Sequence, residues 1–204
     1  MLRRRFGFQH WWPGESTDEI VIGAVLTQQT SWKNVEKALA NLKRENALSI
    51  NSISRIGQRK LERIIKPAGF YRQKARRLRN ISASMIGQYG SLDAFLHMKK
   101  TDIRKALLEF DGIGNETADA IILYAADKRI FVIDAYTKRI ISRVYGFEKD
   151  IGYEELQKTI SENLKGREWI YKDFHAQFVR LGKEFCRTKP FCENCPLDEV
   201  CKSI

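Results

Sequence analysis

The chain has 204 residues, 43% hydrophobic and 30% charged, with a net charge of +11 and a sequence pI near 9.6. That length suffices for one domain or two small ones with a real apolar core. No apolar run approaches the roughly 18 residues of a membrane helix. The basic start MLRRRFGFQHWWPG also lacks the apolar stretch of a secretory signal, so an intracellular protein with no membrane partner is expected.

In chain order the pattern is helical. Ser16, Thr17 and Asp18 offer capping groups ahead of an apolar helix from Ile20 to Leu26. A second helix starts near Ser31, with Val35, Ala38, Leu39 and Leu42 at helical spacing. Lys60 to Lys66 reads as a short basic helix stopped by Pro67 and Gly69. Gln73 to Tyr89 is longer, with Ala75, Leu78, Ile81 or Ser82, and Met85 on one face. Thr101 and Asp102 cap Ile103 to Phe110, a glycine turn follows, and Glu116 to Ala126 is helical again. Ile130 to Ile133 is a β-branched run too isolated to build a sheet. Ala135 to Tyr145, Tyr153 to Leu164 and Trp169 to Phe185 complete an all-α chain.

Charge is unevenly spread. Between Arg55 and Arg79 ten basic residues stand against Glu62 alone, a local +9 of the total +11. Such density suits a polyanion, most often nucleic acid, because Lys and Arg at phosphates release condensed counterions. A solvated basic face or an acidic protein partner is the alternative.

Three motifs carry chemistry. The first is the turn FDGIGNET, where Gly112 and Gly114 can take positive φ and bring bare backbone against a neighbour. A helix starts just after it, and its unpaired N–H groups and positive dipole end can hold a phosphate without reading a base. The bland alternative is an ordinary helix–helix turn. The second is Asp134, a natural N-cap whose carboxylate a helix start would hold rigid and ionised. The third is CRTKPFCENCPLDEVC, which holds every cysteine of the chain: Cys186, Cys192, Cys195 and Cys201. Four thiols at such spacing suit a metal, either tetrahedral zinc or a 4Fe–4S cluster, rather than disulfides.

Helix, Gly-Ile-Gly hairpin, helix, then Val132-Ile133-Asp134, then four clustered cysteines resembles, over essentially the whole chain, the helix-hairpin-helix DNA glycosylases of the endonuclease III superfamily. The resemblance implies a six-helix barrel over 18–126 with the motif at 103–126. It implies a second helical domain from 1–17 and 127–204, carrying the cluster at 186–201. It implies a monomeric, cytoplasmic, nucleoid-associated enzyme acting on double-stranded DNA with damaged bases. Asp134 would be the catalytic carboxylate. Gln28 would fill the space left by a flipped base, and Gly112, Ile113, Gly114, Arg72, Lys74, Arg187 and Lys189 would contact DNA. The four cysteines would hold a 4Fe–4S cluster, with zinc as the alternative; the family's usual first spacing is x6, and here it is x5.

Two features refine that reading. Bifunctional members carry a lysine two positions after the second hairpin glycine, and this chain carries Glu116, which cannot form an imine. Base removal without strand cleavage is therefore expected. Trp11-Trp12-Pro13, together with Trp32 after Thr27-Gln28-Gln29-Thr30, is similar to the 3-methyladenine DNA glycosylase III branch, where aromatics stack an alkylated purine. Gln29 and Tyr136 complete the expected base pocket. Alternatives left open are a thymine, uracil or oxidised-base glycosylase, a bifunctional glycosylase/lyase, and a non-catalytic DNA-structure binder.

Overall fold

The computed structural model describes residues 1–148 and 150–203. Among these there are twelve α-helices and no strand. In chain order they are α1 (Leu2–Phe6), α2 (Thr17–Leu26), α3 (Trp32–Arg44), α4 (Ile50–Arg55), α5 (Gln58–Ile64) and α6 (Tyr71–Tyr89). Then follow α7 (Leu92–His97), α8 (Lys100–Leu108), α9 (Asn115–Tyr124), α10 (Ala135–Tyr145), α11 (Tyr153–Asn163) and α12 (Glu168–Glu184). None is long and apolar enough to cross a membrane.

Local chemistry starts several of these helices. Ser16, Ser49 and Ser91 each accept the N–H three residues on, from Glu19, Ser52 and Ala94, and so satisfy one orphan donor of α2, α4 and α7. Asp134 does the same for α10. Glycine in a left-handed conformation ends that helix at Gly146.

The chain divides into two units. Residues 13–128 form one, in which α4 and α5 lie along α6, and α2 and α8 lie against α9. Its core follows the helical period, so Ala75, Leu78, Ile81, Ser82 and Met85 of α6 are all buried. Helix α2 is buried along Val21 to Leu26 with little polar face, as expected for a helix surrounded by others.

Residues 1–12 and 129–204 form the other unit, with α10 and α1 against α12. Here the β-branched run Ile130 to Ile133 crosses the interior as an extended strip, wholly buried. With no neighbouring strand its polar groups turn to side chains: Gln157 Nε2 donates to the Phe131 carbonyl at 2.6 Å, and the Ile133 N–H donates to the Tyr153 hydroxyl at 3.3 Å.

Candidate active site and DNA-binding hairpin

The hairpin between α8 and α9 is braced from inside. Arg104 of α8 donates from Nε to Asp119 Oδ1 at 2.8 Å and from Nη2 to Asn115 Oδ1 at 3.0 Å, both on α9. The Asp119 side chain is fully buried, so Arg104 supplies its counter-charge and fixes the two helices to each other. Neither residue stood out in the sequence, since an ordinary charged pair fifteen positions apart carries no local pattern.

The two glycines differ in their duties. Gly112 has φ +76°, and a Cβ there would land on the guanidinium of Arg77. Gly114 is extended (φ −95°, ψ 179°), caps α9, and faces open space where a Cβ would be. Positive φ is thus needed at Gly112 alone, which corrects the expectation for Gly114. Ile113 points into the core, and its N–H is spent on the Phe110 carbonyl at 3.1 Å, so neither its side chain nor its amide is offered to a phosphate. Gly112 and Gly114 are exposed, and α9 starts directly after them, which sets a helix N-terminus at the turn.

Gln28, expected to reach into DNA, is engaged within the protein. Its Nε2 donates to the Gly112 carbonyl at 2.9 Å and to Thr117 Oγ1 at 3.0 Å, while its Oε1 accepts from Arg77 Nη1 at 3.0 Å. Lys74 requires a plainer correction. It is 1% exposed, and its ammonium donates to the carbonyls of Ala68 at 2.7 Å and Leu26 at 2.9 Å. Burial, with Arg77 beside it, lowers its pKa to about 8. With two of its three N–H donors spent on carbonyls and the side chain shut away from solvent, that ammonium is not offered to a phosphate, and Lys74 positions the chain around it. Arg72, by contrast, is exposed beside its own Tyr71 ring.

Gln28, Gln29, Lys74, Arg77, Gly112, Gly114, Glu116 and Thr117 line one cavity of about 400 Å³, together with Phe70 and Gln73. Glu116 therefore shares a pocket with the hairpin glycines. Two non-glycine residues here hold left-handed backbone: Gln29 at φ +52° and Phe70 at φ +44°. Phe70 is 59% exposed, beside a basic helix, an arrangement that costs both strain and hydration. Sequence reasoning passed over it; the signal was an aromatic pair, Phe70 and Tyr71, between Gly69 and the basic run.

In the other unit, Asp134 caps α10 by accepting the Thr137 N–H on Oδ1 at 2.6 Å. Its Oδ2 lies 3.5 Å from Nε2 of His175 on α12, and the two side chains are 12% and 6% exposed. Burial opposes its charge, but the nearby His175 ring and the Thr137 N–H outweigh it and hold the carboxyl below the usual range. Tyr136 packs its ring where a Cβ on Gly182 would sit, beneath the Arg139 guanidinium at 5.2 Å.

Trp11 and Trp12 are half-buried neighbours with ring centroids 5.7 Å apart, and the Lys183 ammonium lies 5.5 Å from the Trp11 ring. Pro13 is exposed and belongs, with Trp32, to the unit of residues 13–128. Trp32 opens α3 and donates from Nε1 to Glu36 one turn on, at 2.9 Å.

The cysteine segment is gathered around one arginine. Arg143 donates from Nη1 to Cys186 Sγ at 3.4 Å and to the carbonyl of Arg187 at 2.6 Å, and its own carbonyl lies 3.6 Å from Cys201 Sγ. Arg139 adds a 2.8 Å bond to the Cys186 carbonyl. Burial pushes the Cys195 thiol up, and Cys186, Cys192 and Asp198 nearby push the same way. All four thiols are free of disulfides, which fits a thiolate-bound metal in ligand type and number. Among the described residues no three ligating side chains converge on one point. Arg187 and Lys189 are exposed at the start of this segment.

Residues 22–165 match the family model of the HhH-GPD superfamily of base excision DNA repair proteins. A relative from Methanocaldococcus jannaschii, named "putative DNA repair glycosylase", is 45% identical over 203 residues, spanning 97% of this chain and 91% of its own. The solved Helicobacter pylori 3-methyladenine DNA glycosylase bound to 1,N6-ethenoadenine superposes with a TM-score of 0.77 at 31% identity, over 90% of this chain and 92% of that one. A non-covalent endonuclease III–DNA complex gives 0.83 at 22% identity, over 99% and 91%, which speaks for the fold. The all-α architecture is that of the helix-hairpin-helix glycosylases. By family model and relatives alike, this chain belongs to the HhH-GPD superfamily of base excision repair proteins, as a DNA glycosylase.

Proposed function

We propose that the enzyme removes alkylated purines, such as 3-methyladenine, from DNA without cutting the strand. The observation that carries the second half is Glu116: an exposed carboxylate in the hairpin cavity where imine formation needs an accessible amine, while the Lys74 ammonium lining the same cavity is 1% exposed and bonded to two carbonyls. For the first half, support comes from the Trp11–Trp12 pair and from the likeness to a 3-methyladenine DNA glycosylase bound to 1,N6-ethenoadenine. Trp11, Trp12, Pro13 and Trp32 are the proposed stacking residues, and Gln29 and Tyr136 the proposed polar ones.

In this reading the nucleotide leaves the duplex and its base stacks on tryptophan faces. The bond between C1′ and the base nitrogen breaks with its electrons going to the base, so an N3-alkylated adenine departs neutral. Positive charge grows on the sugar, and ionised Asp134 stabilises it and takes the proton of the water that attacks C1′. Gly112, Gly114 and the first turn of α9 hold a phosphate, while Arg72, Arg187 and Lys189 add salt-sensitive attraction. Phe70 enters the stack beside the flipped base, a duty given to Gln28 on sequence grounds. Cys186, Cys192, Cys195 and Cys201 would hold a 4Fe–4S cluster, or zinc in its place, whose contribution is to fix that segment. The visible spectrum of fresh protein distinguishes the two metals.

One observation favours a second reading, uracil or mismatched thymine. The Lys183 ammonium beside Trp11 opposes a cationic purine on that ring. A panel of duplexes, each with one alkylated, deaminated or oxidised base, decides. Release of 3-methyladenine with an intact abasic strand is expected. Release of uracil alone would overturn the lesion assignment, and a borohydride-trapped adduct would overturn the strand-sparing one.

A further inference from the structure

Asp134 reaches its site with a partner that the sequence did not disclose. His175 lies forty-one positions away on α12, 5% exposed, with its ring edge-on to Phe131 at 6.2 Å. It faces Oδ2, the oxygen that the α10 cap leaves over, while Oδ1 is committed to Thr137 at 2.6 Å. A buried carboxylate so placed can swing about its Cα–Cβ bond unless both oxygens are held. We propose that His175 is a positioning residue for Asp134, fixing through Nε2 the direction in which the carboxylate addresses the sugar and stabilising its charge.

The proposal rests on the catalytic reading of Asp134. At 3.5 Å the contact is longer than a full hydrogen bond, and catalytic contacts of this kind tighten when substrate is bound. Other charged or titratable groups on the surrounding elements have other business. Lys138 of α10 reaches the Ile151 carbonyl at 3.4 Å, and Arg139 binds the Cys186 carbonyl. Tyr153 of α11 takes the Ile133 N–H. On α12, Asp173 accepts from the Gln9 N–H at 3.0 Å and from Gln177, with Arg3 of α1 at 3.9 Å. Lys172 precedes it on the same helix, half-buried. This leaves His175 as the group that lowers the Asp134 carboxyl by charge, against the burial that raises it.

The test is the pH profile of single-turnover excision on the whole protein, for wild type, Asp134→Asn, His175→Phe, His175→Gln and His175→Asn. His175→Phe should move the acidic limb to higher pH and slow excision at pH 6 about ten- to a hundredfold, with a smaller loss at pH 8. Gln carries an N–H donor to the same reach and should restore most of the rate, while the shorter Asn should not. That pair keeps the test intact if the Phe variant fails to fold. An acidic limb that stays in place, or equal losses for Gln and Asn, overturns the proposal. If Asp134→Asn keeps turning over, the reading of Asp134 falls and takes the proposal with it. If Asp134→Asn is dead and the His175 limb stays fixed, only the proposal falls.

Discussion

Replacing Lys74 by Met should make the protein's stability markedly less dependent on pH between 7 and 9.5. The side chain is 1% exposed, its ammonium bonded to two carbonyls, and its pKa lies at about 8 against an ordinary 10.5. The sign follows from proton counting. Above pH 8 the folded state gives up this proton while the unfolded chain keeps it until about 10.5, so the unfolded state binds more protons and stability rises with pH. The gain begins near pH 8, reaches about 2 kcal/mol by pH 9.5, and levels off at about 3 kcal/mol beyond the unfolded pKa. Methionine has similar length and no charge. It spares the burial of an ammonium but leaves the Leu26 and Ala68 carbonyls short of a donor, at about 1–3 kcal/mol each. Urea unfolding of both proteins at pH 7 and 9.5 isolates this group from all others that titrate in the range. A wild-type-minus-variant difference that is flat across the interval would refute the reasoning.

Four further outcomes are expected. Phe70→Ala should leave the melting temperature unchanged, because the ring is 59% exposed, yet slow excision from duplex about tenfold more than from single strands, measured side by side. Glu116→Lys places an exposed amine in the hairpin cavity, unlike buried Lys74, and should give a borohydride-trapped protein–DNA adduct where wild type gives none. Asp134→Asn keeps the α10 cap, since Asn caps as well as Asp, so it should retain duplex affinity while losing about a hundredfold or more in base release. Arg104→Met strips a fully buried Asp119 of its counter-charge and should cost about 3–5 kcal/mol in denaturant unfolding.

What could be read in the sequence was what depends on neighbours along the chain. The buried face of α6 follows from its period, and the Asp134 cap from one residue and the helix after it. Of the short helices, α5 was announced by its basic stretch, while α1, α4 and α7 escaped. In α1 only Leu2 and Phe6, one turn apart, are buried, and α4 and α7 are announced by single serines. Residues whose roles are set across the fold were invisible: His175 beside Asp134, Arg104 against Asp119, and Lys74 turned inward. Lys74 shows the reason. Nine neighbouring basic residues made it look like surface, and only the carbonyls of Leu26 and Ala68, brought close by folding, reveal where the charge goes.

The absent side chain at Gly112 has a mechanical consequence. Arg77 occupies the volume a methyl group would need, and the same guanidinium grips Gln28, which grips the hairpin in turn. These contacts close a loop of three parts: the start of α6, the turn after α2, and the hairpin. Push on any one and the other two must follow. A load on the hairpin would therefore fall on the same side-chain contacts that hold Gln28 in place.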